Sequence, residues 1–144
     1  MKIMALDLGD VWTGTALSDS MQMLAKPYQT VKTVDLKNFL TTLLKEEKIA
    51  TFVVGYPKTL EGRESDQTRK VVLMKEDLER TFCIQNWILW DERLTSKQAN
   101  MLRSGRYDKQ KLHSIAAALI LETYLMHLTF ERFKNETDDD GLDD

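Results

Sequence analysis

The chain holds a single cysteine, Cys83, and only two prolines among 144 residues. One thiol excludes an internal disulfide framework, so folding must rest on an apolar core. No apolar run approaches the roughly 20 residues that a membrane-crossing helix needs. The N-terminal stretch also lacks the basic-then-apolar pattern of a secretion signal. A cytoplasmic, reduced setting without membrane attachment is expected. No internal repeat or low-complexity linker breaks the chain before its last ten residues, and this length accommodates one domain with a proper core.

An excess of one charge sign is lacking except at one end. The net charge is −3, but the final segment "NETDDDGLDD" carries six acids and no base. Without it, 20 basic residues face 17 acidic ones. The division expected is a domain over residues 1–134 and a solvated, disordered acidic tail over 135–144, because the tail has too little apolar surface to order itself. A mildly basic domain is compatible with nucleic-acid binding without arguing for it.

What is present is periodicity. "KIMALDL" (2–8) reads as a buried strand ending in an acid and Gly9. "TGTALSD" (13–19) follows as a second strand, turned back through Gly9 to Gly14. "LAKPYQTVKT" is a third, which Pro27 marks as an edge or a bulge. "DLKNFLTTLLKEEK" (35–48) places Leu36, Phe39, Leu40, Leu43 and Leu44 at helical spacing, with Asp35 as N-cap. "TFVVG" (51–55) and "WILWD" (87–91) are compact apolar strands, separated by a loop and a helix from about Ser65 to Arg80. A short helix begins near Thr95, and a last one runs from about Lys111 to Phe133. Three strands in succession and then β/α alternation predict one α/β domain. Its mixed five-stranded sheet would be an antiparallel meander joined to parallel strands and flanked by helices. In that strand order Trp87 and Trp90 belong to the core.

Groups at the carboxyl ends of parallel strands gather on one edge of such a sheet. Asp7 ends the first strand, and Asp91 with Glu92 ends the last. Each acid alone fits a cap or turn. Together they point to a site for one or two hard cations, Mg²⁺ or Mn²⁺, which favour carboxylate oxygen. Such a site suits phosphodiester hydrolysis. Lys58, Arg63, Arg69 and Lys70 follow the "TFVVG" strand, on the same edge. They either hold a nucleic-acid backbone or form a solvated face.

Four blocks in order, "ALDLGDVWTGTALSD", "VVGYPKTLEGRESDQTRKV", "DERLTSKQANMLRSG" and "LHSIAAALILETYL", resemble the YqgF family. It is also called the RuvX or Holliday-junction-resolvase-like family, and its fold is RNase H-like. The resemblance covers roughly residues 2–128. It implies a nuclease maturing the 5′ end of precursor 16S rRNA, with RNA favoured over branched DNA and ribosome-assembly intermediates as partners. Junction resolution is the other activity linked to the family. The resemblance makes Asp7 the first-strand catalytic aspartate and Gly9 and Gly14 its turn glycines. Asp91, Glu92, Arg93 and Thr95 match a "DER-T" motif whose acids complete the metal site. Glu92 is preferred as ligand, because the residue just past a strand end can face the cleft. Pro57, Gly62 and Gln67 match a substrate-facing loop.

Two departures stand out. Between the glycines the family usually carries basic residues, whereas this chain has "DVWT". Trp12 there either stacks on a base or packs in the hairpin. At His113 the family usually has an aspartate, the last metal ligand. His113 can bind a metal such as Mn²⁺ or move a proton. It can also mark altered metal preference, or a factor that keeps the fold and RNA contacts without the chemistry. Ala116, Ala117 and Ala118 let the last helix approach the sheet closely. The opening Asp-x-Gly also resembles the phosphate-binding turn of sugar kinases, actin and Hsp70-type ATPases, but those enclose ATP with a duplicated domain. Oligomeric state stays open between monomer and homodimer.

Overall fold

The computed structural model describes residues 1–56, 66–91 and 109–142, without the side chains of 109–110 and 138–142. Five strands among them form one sheet: β1 (Lys2–Asp7), β2 (Trp12–Ser18), β3 (Ala25–Lys32), β4 (Ile49–Tyr56) and β5 (Asn86–Asp91). Their order is β3-β2-β1-β4-β5. The pairs β1–β2 and β2–β3 are antiparallel, and β1–β4 and β4–β5 are parallel. This is the expected meander joined to parallel strands. The described helices are α1 (Leu36–Glu46), α2 (Asp66–Thr81) and α3 (Lys109–Leu142).

Side chains alternate across a strand, and β1 shows how that divides the core. Met4, Leu6 and Leu8 join Leu36, Leu40 and Leu43 of α1 and Val71 and Leu78 of α2 on one face. Ile3 and Ala5 join Ala117, Ile120 and Leu121 of α3 on the other. Ala117 is fully buried, as the small residues of its run require for close helix–sheet contact. Trp87 stacks on Phe52 with ring centroids 4.4 Å apart, and its Nε1 donates to the Phe82 carbonyl at 2.9 Å. Trp90 packs edge-on against Tyr124 and donates to Thr123 Oγ1 at 2.9 Å. Both tryptophans therefore belong to the core.

Pro27 accounts for two features of β3. Its missing N–H is tolerated because β3 is an edge strand, and the pairing register shifts where Pro27 comes opposite Ala16. Asp35 differs from expectation. It occupies the N-cap position of α1 but makes no side-chain capping bond. A 3₁₀ turn, Thr33–Asp35, runs straight into the helix, and the Leu36 N–H already bonds to the Thr33 carbonyl.

The last helix also exceeds its expected end. It continues to Leu142 rather than ending near Phe133. No proline interrupts that stretch, so nothing in the backbone compels a stop at Phe133. Over Lys111–Thr137 it is long and apolar enough to cross a membrane by length and composition. Here Ala117, Ile120, Leu121, Tyr124 and Leu125 are buried among residues of the sheet.

Candidate active site

The site lies at the carboxyl edge of β1, β4 and β5. Leu6 pairs with Val54, and Gly55 with Trp90, so Asp7 stands level with Gly55 and Trp90. Alternation puts Asp7 on the α3 face with Ile3 and Ala5, where Trp90 also packs. Asp91, next after Trp90, therefore belongs to the α1/α2 face. It is half-buried, and two strand spacings, about 9.5 Å, separate its strand from β1. The structure thus brings Asp7 and Asp91 to one edge but not to one face.

His113 is what meets Asp7. Its Nδ1 lies 3.8 Å from Asp7 Oδ2, with the two side chains 35% and 25% exposed. That separation exceeds a hydrogen bond. The contact depends on Gly14, which sits inside β2 rather than in the turn where it was expected. A Cβ at Gly14 would collide with the carbonyl of His113 and come within 2.7 Å of the Ser114 nitrogen. Only glycine lets the N-terminal part of α3 lie directly on β2. The buried Ser114 donates to the Lys111 carbonyl at 3.0 Å within that part.

The β1–β2 turn is tightly held. A Cβ at Gly9 would overlap the Trp12 carbonyl, so Gly9 does serve the turn. Thr33 Oγ1 donates to the Gly9 carbonyl at 2.7 Å, and its N–H donates to the Val11 carbonyl at 2.8 Å. Thr33 Oγ1 also contacts Thr13 Oγ1 at 2.9 Å. At the same turn Asp10 Oδ2 lies 3.7 Å from Lys70 Nζ. Lys70 therefore reaches the β1–β2 turn from the first part of α2. Arg69, beside it in sequence, is exposed.

Trp12 lines a separate shallow groove with Val31, Lys32 and the α1 residues Asn38 and Phe39. Pro57, Lys58, Gly62, Arg63, Glu92 and Arg93 lie outside the described residues. Sequence reading missed Thr33 and Asp10. Thr33 precedes α1 without a motif to mark it, and Asp10 stands in plain view beside Gly9 but gains its cationic neighbour only in the fold.

Among the described residues, no group of three His, Cys, Asp or Glu side chains is placed to hold a metal ion. Asp7 and His113 nevertheless form a compatible partial donor set. Adjacent ligands about 2.1 Å from one octahedral ion stand roughly 3 Å apart, so the two groups would have to draw closer to share one.

Similarity to known proteins identifies the family. The RuvX family profile, described as Holliday junction resolvase, matches residues 1–127. The chain belongs to this family. A relative from Rubrobacter xylanophilus is 39% identical over 127 residues, covering 86% of this chain and 91% of its own length. One from Thermoanaerobacter pseudethanolicus is 35% identical over 134 residues, covering 87% and 96%. Both carry the name "Putative pre-16S rRNA nuclease". Thermus thermophilus RuvC in complex with a Holliday junction substrate superposes with a TM-score of 0.58. It covers 90% of this chain and 96% of that one at 13% identity, a likeness of fold. The RuvX-family chain is thus a single α/β domain of RNase H-like architecture.

Proposed function

We propose that the chain is a divalent-metal-dependent nuclease acting in the cytoplasm on precursor 16S rRNA. The observation that carries this reading is the partly exposed Asp7 carboxylate at the end of β1, with His113 Nδ1 3.8 Å away. RNA is preferred over branched DNA because the RuvX-family relatives named above are named for pre-16S rRNA. Asp7 would hold the cation, and His113 would ligate it or carry a proton. Imidazole suits Mn²⁺ better than Mg²⁺. The cation would supply an activated water and neutralise charge on the attacked phosphate. Glu92 is proposed as the second carboxylate. Asp91 lies on the face away from Asp7, and the resemblance of Asp91–Thr95 to the family's acidic motif supplies Glu92 as the other acid.

Lys70 and Arg69, with Lys58, Arg63 and Arg93, would hold the phosphate backbone. The test is cleavage of precursor 16S rRNA and of a four-way DNA junction with Mg²⁺ or Mn²⁺. Asp7→Asn should lower the rate by about a hundredfold or more while leaving RNA affinity intact. Cleavage by Asp7→Asn at the wild-type rate would sink the assignment.

One observation favours a second reading. The group beside Asp7 is an imidazole, which brings no negative charge to hold a hard cation that favours carboxylate oxygen. On that reading the chain is an RNA-binding assembly factor without the chemistry. An inert wild type that gains cleavage on His113→Asp would select it. Loss of robust native cleavage on His113→Ala would exclude it.

A further inference from the structure

The end of the sheet opposite Asp7 exposes an apolar surface that the nuclease reading does not use. Met23 and Leu24, between β2 and β3, and Leu125, Met126, Phe130 and Phe133 of α3 line a groove of about 740 Å³. Met126, Phe130 and Phe133 are 65%, 64% and 69% exposed. They recur at helical spacing, so one stripe of α3 carries them. Large contiguous apolar patches on a soluble surface mark sites of contact.

The groove is built rather than loose. Asp19 Oδ1 accepts from the Met23 and Leu24 N–H groups at 2.8 and 2.9 Å. Gln22 takes a left-handed backbone conformation, φ 57°, which an L side chain rarely adopts without support. That support is present: Gln22 Nε2 donates to the Met1 carbonyl at 2.9 Å, and Arg132 Nη2 donates to Gln22 Oε1 at 3.1 Å. The fold thus fixes a strained turn while leaving Met23 and Leu24 in solvent.

We propose that this surface joins two copies of the chain about a twofold axis, with their α3 helices antiparallel. Phe130 and Phe133 both line the groove and stand out from it, so one surface supplies ridge and trough alike. An isologous contact demands that self-complementarity. Charge selects the direction. Glu122 lines the groove at its end nearer His113, while Arg132 and Lys134 lie towards the other end. Antiparallel pairing centred near Leu128 sets Met126 against Phe130 of the partner subunit and Glu122 towards the partner's Lys134. Parallel pairing would set like charges together.

This inference goes beyond the nuclease reading and stands apart from it. The test is the mass of the full chain by analytical ultracentrifugation across a dilution series. The expected result is a reversible dimer with Kd on the order of 1–10 µM. Phe130→Asp replaces an exposed side chain and should leave the circular dichroism spectrum unchanged while raising Kd about a hundredfold. Glu122→Lys should weaken the dimer about tenfold, and adding Lys134→Glu should restore it. Cleavage per protomer should survive Phe130→Asp, which separates failure here from failure of the nuclease reading. A wild type that stays monomeric at about 100 µM would overturn the proposal. So would a dimer that Phe130→Asp leaves intact, or a monomer that instead binds anionic phospholipid vesicles through this face.

Discussion

Asp7 and His113 come from opposite ends of the chain, and the backbone contact under Gly14 is what sets α3 close enough for them to meet. Gly14→Ala should therefore injure both fold and site, because the new methyl must displace backbone rather than a flexible side chain. A loss of about 1–3 kcal/mol in urea unfolding is expected. Cleavage and stability both retained would show that some other contact sets the helix. The need for glycine at position 14 is invisible in sequence, since the atoms that forbid a Cβ belong to a distant helix. The place of Asp7 is legible, because an acid that closes a short apolar strand stands at the carboxyl edge of the sheet whatever its role. Asp19 adds a pH effect at this scale. The Leu24 and then the Met23 backbone N–H groups hold its carboxyl below the usual carboxylate value. Its stabilising contribution is complete above the unfolded value of about 3.9 and disappears as pH falls through the lower folded one. Urea midpoints measured from pH 5 down to pH 2 should fall less steeply for Asp19→Asn than for wild type.

At the scale of elements, the strands declare themselves because each side of the sheet is covered. β1 and β4 are apolar on both faces, so they read as unbroken apolar runs. β2 and β3 are bounded by turn residues and by Pro27. Helix α1 is legible through its stripe, although its start is not: the 3₁₀ turn satisfies the backbone that an Asp35 cap would have served. The end of α3 is misplaced for a different reason. Acidic composition reports the lack of a core to join, and that does not settle whether a helix already in progress continues. Trp87 shows how much one strand residue can hold. It stacks on Phe52, donates to Phe82 and is 8% exposed. Trp87→Ala should cost about 3–5 kcal/mol and lower the thermal midpoint. An unchanged midpoint would mean that β5 is held by its ladder alone.

For the whole molecule, the meander and the two parallel crossovers put three strand ends on one edge, and α3 brings His113 to it. The net charge of −3 conceals a mildly basic body, and that body is what a phosphate backbone would meet. RNA affinity should therefore fall steeply with salt. Lys70→Ala should reduce the slope of log K against log salt by roughly 0.7, the share of one phosphate contact in a single strand. A slope unmoved by Lys70→Ala would leave that lysine to its pairing with Asp10. The topology of this arrangement is legible from strand order. The set of residues meeting at the edge is legible only in part, because strand register decides which face each acid takes.

The length of α3 has a consequence for how substrate is engaged. With a rise of about 1.5 Å per residue, His113 and Phe130 stand about 26 Å apart along one rigid rod. In the proposed antiparallel pair the two His113 sites would be about 45 Å apart and face outward. Such a pair acts as a bivalent clamp. It gains avidity on a long RNA whose path visits both ends and gains none on a short oligonucleotide.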